Sequence, residues 1–181
     1  TNLVSTDTID GGDGTDNLTA SIAANYSGTI TGVETFTIDA TAADSGTFSF
    51  ANIDSEATVI LTADTDNDAI ALGAMASGTT VRLNDDDVVA TLDTEADASL
   101  TVDIRSATAG SVETLTITDA ANVTLTSGAS AASSTADVVL DAVDTDTLTV
   151  TNPTAVAVAT GNITGTNVLQ SVTTTSSVGS G

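Results

Sequence analysis

Asp10-Gly11-Gly12-Asp13-Gly14-Thr15-Asp16-Asn17-Leu18 is the stretch that sets the fold expected of this chain. It spells G-G-x-G-x-D-x-L, the nonapeptide turn of calcium-binding parallel β-helices. Its glycines let the backbone turn tightly and aim carbonyl oxygens inward. Asp16 supplies a carboxylate, and Leu18, two places on, opens a strand and enters the core. Calcium takes six to eight oxygen ligands, so one such turn fills only part of the shell and needs a neighbouring turn to complete it. Asp10, Gly12, Asp13, Gly14 and Asp16 are therefore the first candidate metal ligands. A plain Gly-rich turn between strands is the alternative.

The composition agrees with a metal and excludes much else. The 181 residues carry 25 acidic side chains against two basic ones, Arg82 and Arg105, for a net charge of −23. Such a charge repels nucleic acid and anionic membranes and opposes compaction unless cations neutralise it. Adaptation to high salt is the competing explanation. Cysteine, histidine and lysine are all absent. This removes thiol nucleophiles, zinc and iron–sulfur sites, disulfide staples and the usual general base. No apolar run approaches the ~20 residues of a membrane span. Threonine occurs 37 times, while aromatics are only 2% and hydrophobic residues still 40%. Small β-branched residues without tryptophan suit a narrow core.

Strand patterns recur with period two. Phe36 and Ile38 share one face of Thr35–Ile38, and Phe48 and Phe50 one face of the next pattern. Val81-Arg82-Leu83 sends its arginine outward. Leu100–Arg105 alternates with Asp103 and Arg105 outside. Leu115/Ile117, Val123/Leu125 and Leu148/Val150 follow, with Gly, Asn, Asp and Ser clusters between as turns. Ala129–Ala136 reads as a loop, and no amphipathic helix is evident. Two internal echoes suggest a coil. Val33-Glu34-Thr35 returns as Val112-Glu113-Thr114. The aspartate of the nonapeptide, Asp16, has counterparts in Asp68 and Asp146, the successive separations being two and three times 26 residues. The predicted fold is all-β: one elongated parallel β-solenoid over 1–181, a fragment of a longer protein, with about three strands per coil. A β-sandwich, which also alternates short strands with turns, is the alternative.

Further acidic turns are candidate calcium ligands. Asp64, Asp66 and Asp68 begin like an EF-hand loop, but Ala69 stands where its glycine belongs and Met75 where its glutamate belongs. Asp144 and Asp146 form a second eroded turn. Asn84-Asp85-Asp86-Asp87 reads first as a solvated turn. Asp44-Ser45-Gly46 spells the core of an aspartic protease without the second copy that chemistry needs, and no enzyme is expected. Thr-x-Thr pairs such as Thr35/Thr37 and Thr124/Thr126 could stack into an ice-binding lattice, though threonine favours exposed strand positions anyway.

Ile9–Leu18 followed by Ile30-Thr31-Gly32-Val33-Glu34-Thr35-Phe36-Thr37-Ile38 resembles surface-layer proteins of the Caulobacter type and related RTX proteins. In these a G-G-D-G-T-D-x-L turn is commonly followed by a G-[VIF]-E-T-[LF] strand. The closest likeness covers roughly residues 9–42. It implies type I secretion, a calcium-stabilised solenoid on the outside of a bacterial cell, and self-assembly into an S-layer lattice or filament. Gly12, Gly14 and Asp16 would be ligands, with Asp13 near. The implied partners are further copies of the chain and cell-surface polysaccharide. An extender or ligand-binding module of an RTX adhesin shares these features and is the alternative.

Overall fold

Period-two alternation becomes parallel strands in a computed structural model that describes residues 3–22, 24–40, 44–54, 56–63, 69–84, 89–105, 112–127, 135–140, 147–152, 159–165 and 171–176. In order these strands are β1 (Thr8–Asp10), β2 (Asn17–Ile22), β3 (Thr29–Thr31), β4 (Thr35–Ala40), β5 (Asp44–Ser49), β6 (Thr58–Ala63) and β7 (Ala69–Met75). There follow β8 (Thr80–Leu83), β9 (Val89–Ile104), β10 (Val112–Ser127), β11 (Thr135–Leu140), β12 (Thr147–Asn152), β13 (Ala159–Gly165) and β14 (Ser171–Ser176). No helix occurs among the described residues. Every pairing between these strands is parallel, which rules out the sandwich and makes the protein a β-solenoid.

Two long ladders form its sides. The first stacks β2, β4, β6, β8, the second half of β9, the second half of β10, β12 and β14. The second stacks β5, β7, the first halves of β9 and β10, β11 and β13. A short third side exists near the N-terminus, where β1 pairs with β3 and Ile30 bridges to Ile53. Successive coils then lose this side. In β9 and β10 the second ladder runs straight into the first through a bend at Asp97 (φ 60°) and Asp119 (φ 61°), beside the paired Ala98 and Ala120. Aspartate tolerates this left-handed conformation better than β-branched residues do. Three strands per coil thus describes only the N-terminal part.

The coil length also differs from 26 residues. One register column of the first ladder runs Asn17, Thr35, Thr58, Thr80, Thr101, Thr124, Thr149, Thr173, with steps from 18 (17 to 35) to 25 (124 to 149). Corners of unequal length absorb the difference. The strand after Asp16 opens the first ladder at Asn17, whereas the strand that begins at Ala69 belongs to the second. The Val-Glu-Thr echo behaves alike: Thr35 pairs on the first ladder and Thr114 on the second. Neither echo is a coil repeat. The segment read as a loop through Ala136 gives way to β11 at Thr135.

The core is narrow, filled by alternate residues of each strand, such as Phe36 and Ile38 on the first ladder and Leu115 and Ile117 on the second. Phe36, Val59, Val81, Val102 and Leu125 stack in one column, and Phe48, Leu72, Leu92 and Ile117 in another. Leu115, Ile117, Val123 and Leu125 are all buried, as the alternation predicts. The three phenylalanines and the tyrosine of the chain cluster in the N-terminal coils, Tyr26 stacking on Phe48 at 4.8 Å and Phe36 meeting Phe50 edge-on at 5.4 Å. Beyond them, aliphatic side chains fill a flatter interior. Asp103, expected outside, is only 7% exposed, because Arg82 and Arg105 close over it.

Candidate functional site

The nonapeptide turn links β1 on the third side to β2 on the first ladder, so the chain must change direction within six residues, Gly11 to Asp16. Asp10 starts the change: its Oδ1 accepts a hydrogen bond from the Gly12 amide at 3.1 Å, an Asx turn, and from the Thr31 hydroxyl at 3.4 Å. Gly12 (φ 85°) and Gly14 (φ 134°) then adopt backbone angles that side chains disfavour. Gly11 is required for a different reason. A Cβ there would lie 2.0 Å from the Gly32 carbonyl oxygen, so the turn of the next coil rests directly on this one.

Asp16 closes the turn. Its amide donates to Glu34 Oε2 at 2.8 Å, and its carbonyl accepts from the amides of Glu34 and Thr35 at 3.3 and 3.1 Å. Its carboxylate folds back under Gly14, where a Cβ would stand 3.8 Å from Oδ2. That Oδ2 is buried and has no hydrogen-bond partner. A buried carboxylate oxygen without a donor is costly, and a cation is the kind of ligand that satisfies it. Asp10, Gly12, Asp13 and Gly14 are all exposed.

Acidic side chains also tie later turns together, across coils. Asp54 Oδ1 accepts from the Gly32 amide at 3.3 Å, 22 residues away. Glu56 Oε1 accepts from the Ala76 amide at 2.7 Å. Glu56 is largely buried, and burial raises its carboxyl above the ordinary value of 4.5, with Glu95 and Asp54 adding to the shift. Sequence reasoning passed over Glu34, Asp54 and Glu56 as site residues. The signal for Glu34 was its place directly before a strand in the two-part motif, but its partner lies 18 residues away.

Among the described residues no three acidic side chains converge on one point. A calcium ion at this turn would therefore draw on the Asp16 carboxylate together with backbone carbonyls, the mixed oxygen set that the ion accepts. The donor chemistry fits. Asp64, Asp66, Asp68, Asp144 and Asp146 lie outside the described residues, as do Asp85, Asp86 and Asp87. Elsewhere, a shallow groove of about 270 Å³ on the second ladder is lined by Gly46, Thr47, Ala69, Ile70, Ala71, Val89 and Thr91, none of them ionisable.

No model of a known protein family, no curated protein and no solved structure matches the chain.

Proposed function

We propose that this chain is a structural segment of a bacterial cell-surface layer or surface filament, stiffened by calcium and assembling with copies of itself. The observation that carries the reading is the buried, unpartnered Oδ2 of Asp16 inside an intact nonapeptide turn. Two further features support it. Parallel ladders that stack coil on coil over a narrow core extend in one dimension, an architecture suited to a structural segment. A net charge of −23 makes association of copies depend on neutralising cations. When bound, calcium supplies positive charge that converts repulsion among turn carboxylates into attraction; Asp16 and the carbonyls around Gly12 and Gly14 hold it.

Light scattering and electron microscopy of the full chain in calcium, and then in excess chelator, test the reading. Ordered polymers that form with calcium and disperse on chelation are expected. A protein that stays monomeric in calcium and instead captures a surface ligand is an adhesin module, and the reading falls.

A further inference from the structure

We propose that two copies of this chain meet through the outer face of the first ladder, each presenting that same face to the other; this rests on the self-assembly reading above. Charge singles the face out. Across all its strands it carries Asp39, Asp103 and Arg82, and Arg105 follows directly on β9. Two acids and two bases cancel. The remaining 23 of the 25 acidic residues lie elsewhere in the chain, and no base does. Most other surfaces therefore set carboxylates against carboxylates when two copies approach, and none of them offers a base. Like charges juxtaposed across an interface cost several kcal/mol, which directs association to the neutral face.

The face is also large enough. One of its columns is Thr35, Thr58, Thr80, Thr101 and Thr124, all half-buried. The axis that pairs these charges overlaps six rungs, β2 to β10; about 4.8 Å apart and with strands of about 20 Å, they give a projected area of roughly 500–600 Å² per copy. A stable interface takes ~800 Å² per partner, and accessible area exceeds projected area.

The charges on the face are self-complementary. Asp39 sits on β4, where the Ser21 and Thr62 hydroxyls hold it at 3.2 and 3.3 Å. Arg105 sits three rungs further on, past β6 and β8, its Nε 2.7 Å from Asp103 Oδ2 and its side chain 39% exposed. A two-fold axis along the strand direction, midway between β4 and β9, inverts the order of rungs. Each copy's Asp39 then faces the second copy's Arg105.

Charge swaps test this by sedimentation of the full chain in calcium. Asp39→Arg and Arg105→Glu should each weaken association by about tenfold or more, and the double swap should restore it, while Thr91→Glu on the exposed second ladder leaves it unchanged. The chain has no cysteine, so a spin label at Thr124→Cys or Thr91→Cys reports each face separately. The label at 124 should lose mobility on assembly and the label at 91 should keep it. This readout holds even where a charge swap unfolds the protein. Wild-type polymers that ignore both swaps, or that immobilise position 91 and not 124, overturn the face assignment and leave the self-assembly reading standing. A wild-type chain that remains monomeric overturns both.

Discussion

Glu34 Oε2 accepts a hydrogen bond from the backbone amide of Asp16 at 2.8 Å, across 18 residues of chain. The contact is reciprocal, because the Asp16 carbonyl takes the amides of Glu34 and Thr35. A glutamate of one coil thus orients the aspartate of the coil before it and sets where β2 and β4 begin. Glu34→Ala leaves a partly buried amide without its charged acceptor and should cost about 1.5–3 kcal/mol, read by urea denaturation. Glu34→Gln keeps an acceptor oxygen and should lose less. Equal losses in the two variants would show that the side chain's charge, and not its hydrogen bond or length, fixes the turn.

Calcium binding should centre on Asp16. Asp16→Ala should lower the ion stoichiometry measured by calorimetry, and Asp13→Ala, which removes an exposed carboxylate, should change it little. Each site filled at tenfold excess over its Kd adds about 1.4 kcal/mol of stability. Chelation should therefore depress the melting temperature of the wild type more than that of the Asp16 variant, with sodium at equal ionic strength as the control.

Gly11 and Gly12 are neighbours with different constraints. A Cβ on Gly11 would stand 2.0 Å from a backbone oxygen of the next coil, whereas one on Gly12 meets nothing within 4 Å and suffers only from φ 85°. Gly11→Ala should cost at least ~3 kcal/mol by forcing two coils apart. Gly12→Ala should cost about 1–2 kcal/mol, the penalty of left-handed backbone. Thermal melts of the two variants decide it; a reversed order would mean that the coils do not rest on each other here.

Glu56 predicts an unusual pH dependence. Its folded carboxyl is raised above 4.5, first by burial and then by Glu95 and Asp54. A raised folded value means the folded state holds the proton more tightly than the unfolded one. Its contribution to stability is therefore full below pH 4.5 and is lost as pH rises through the raised value. Glu56→Gln stays neutral at every pH and keeps an acceptor for the Ala76 amide. The stability difference, variant minus wild type, should grow as pH climbs from 4 towards 7. A difference that does not change with pH would place this carboxyl in ordinary solvent.

The inward and outward alternation was legible in the residues alone. Leu115, Ile117, Val123 and Leu125 are buried and Thr114, Thr116 and Thr124 are more exposed because side-chain direction in a strand is set locally, with a period of two. The sharp turn at Gly12 and Gly14 was legible for the same reason, since a positive φ is a property of single residues. Which strands stack was not. Asp16 and Asp68 look like one repeated turn, and Val33-Glu34-Thr35 and Val112-Glu113-Thr114 like one repeated strand, yet Asn17 and Thr35 pair on the first ladder while Ala69 and Thr114 pair on the second. Register depends on how many residues each corner consumes, and corners here range from a long excursion through Ile53 to a single bend at Asp119. The same distant pairing sets Glu34 on Asp16 and brings Arg82 and Arg105 over Asp103. Local chemistry determined each strand and turn; only the tertiary structure, through corner lengths that no short stretch encodes, decided which of them touch.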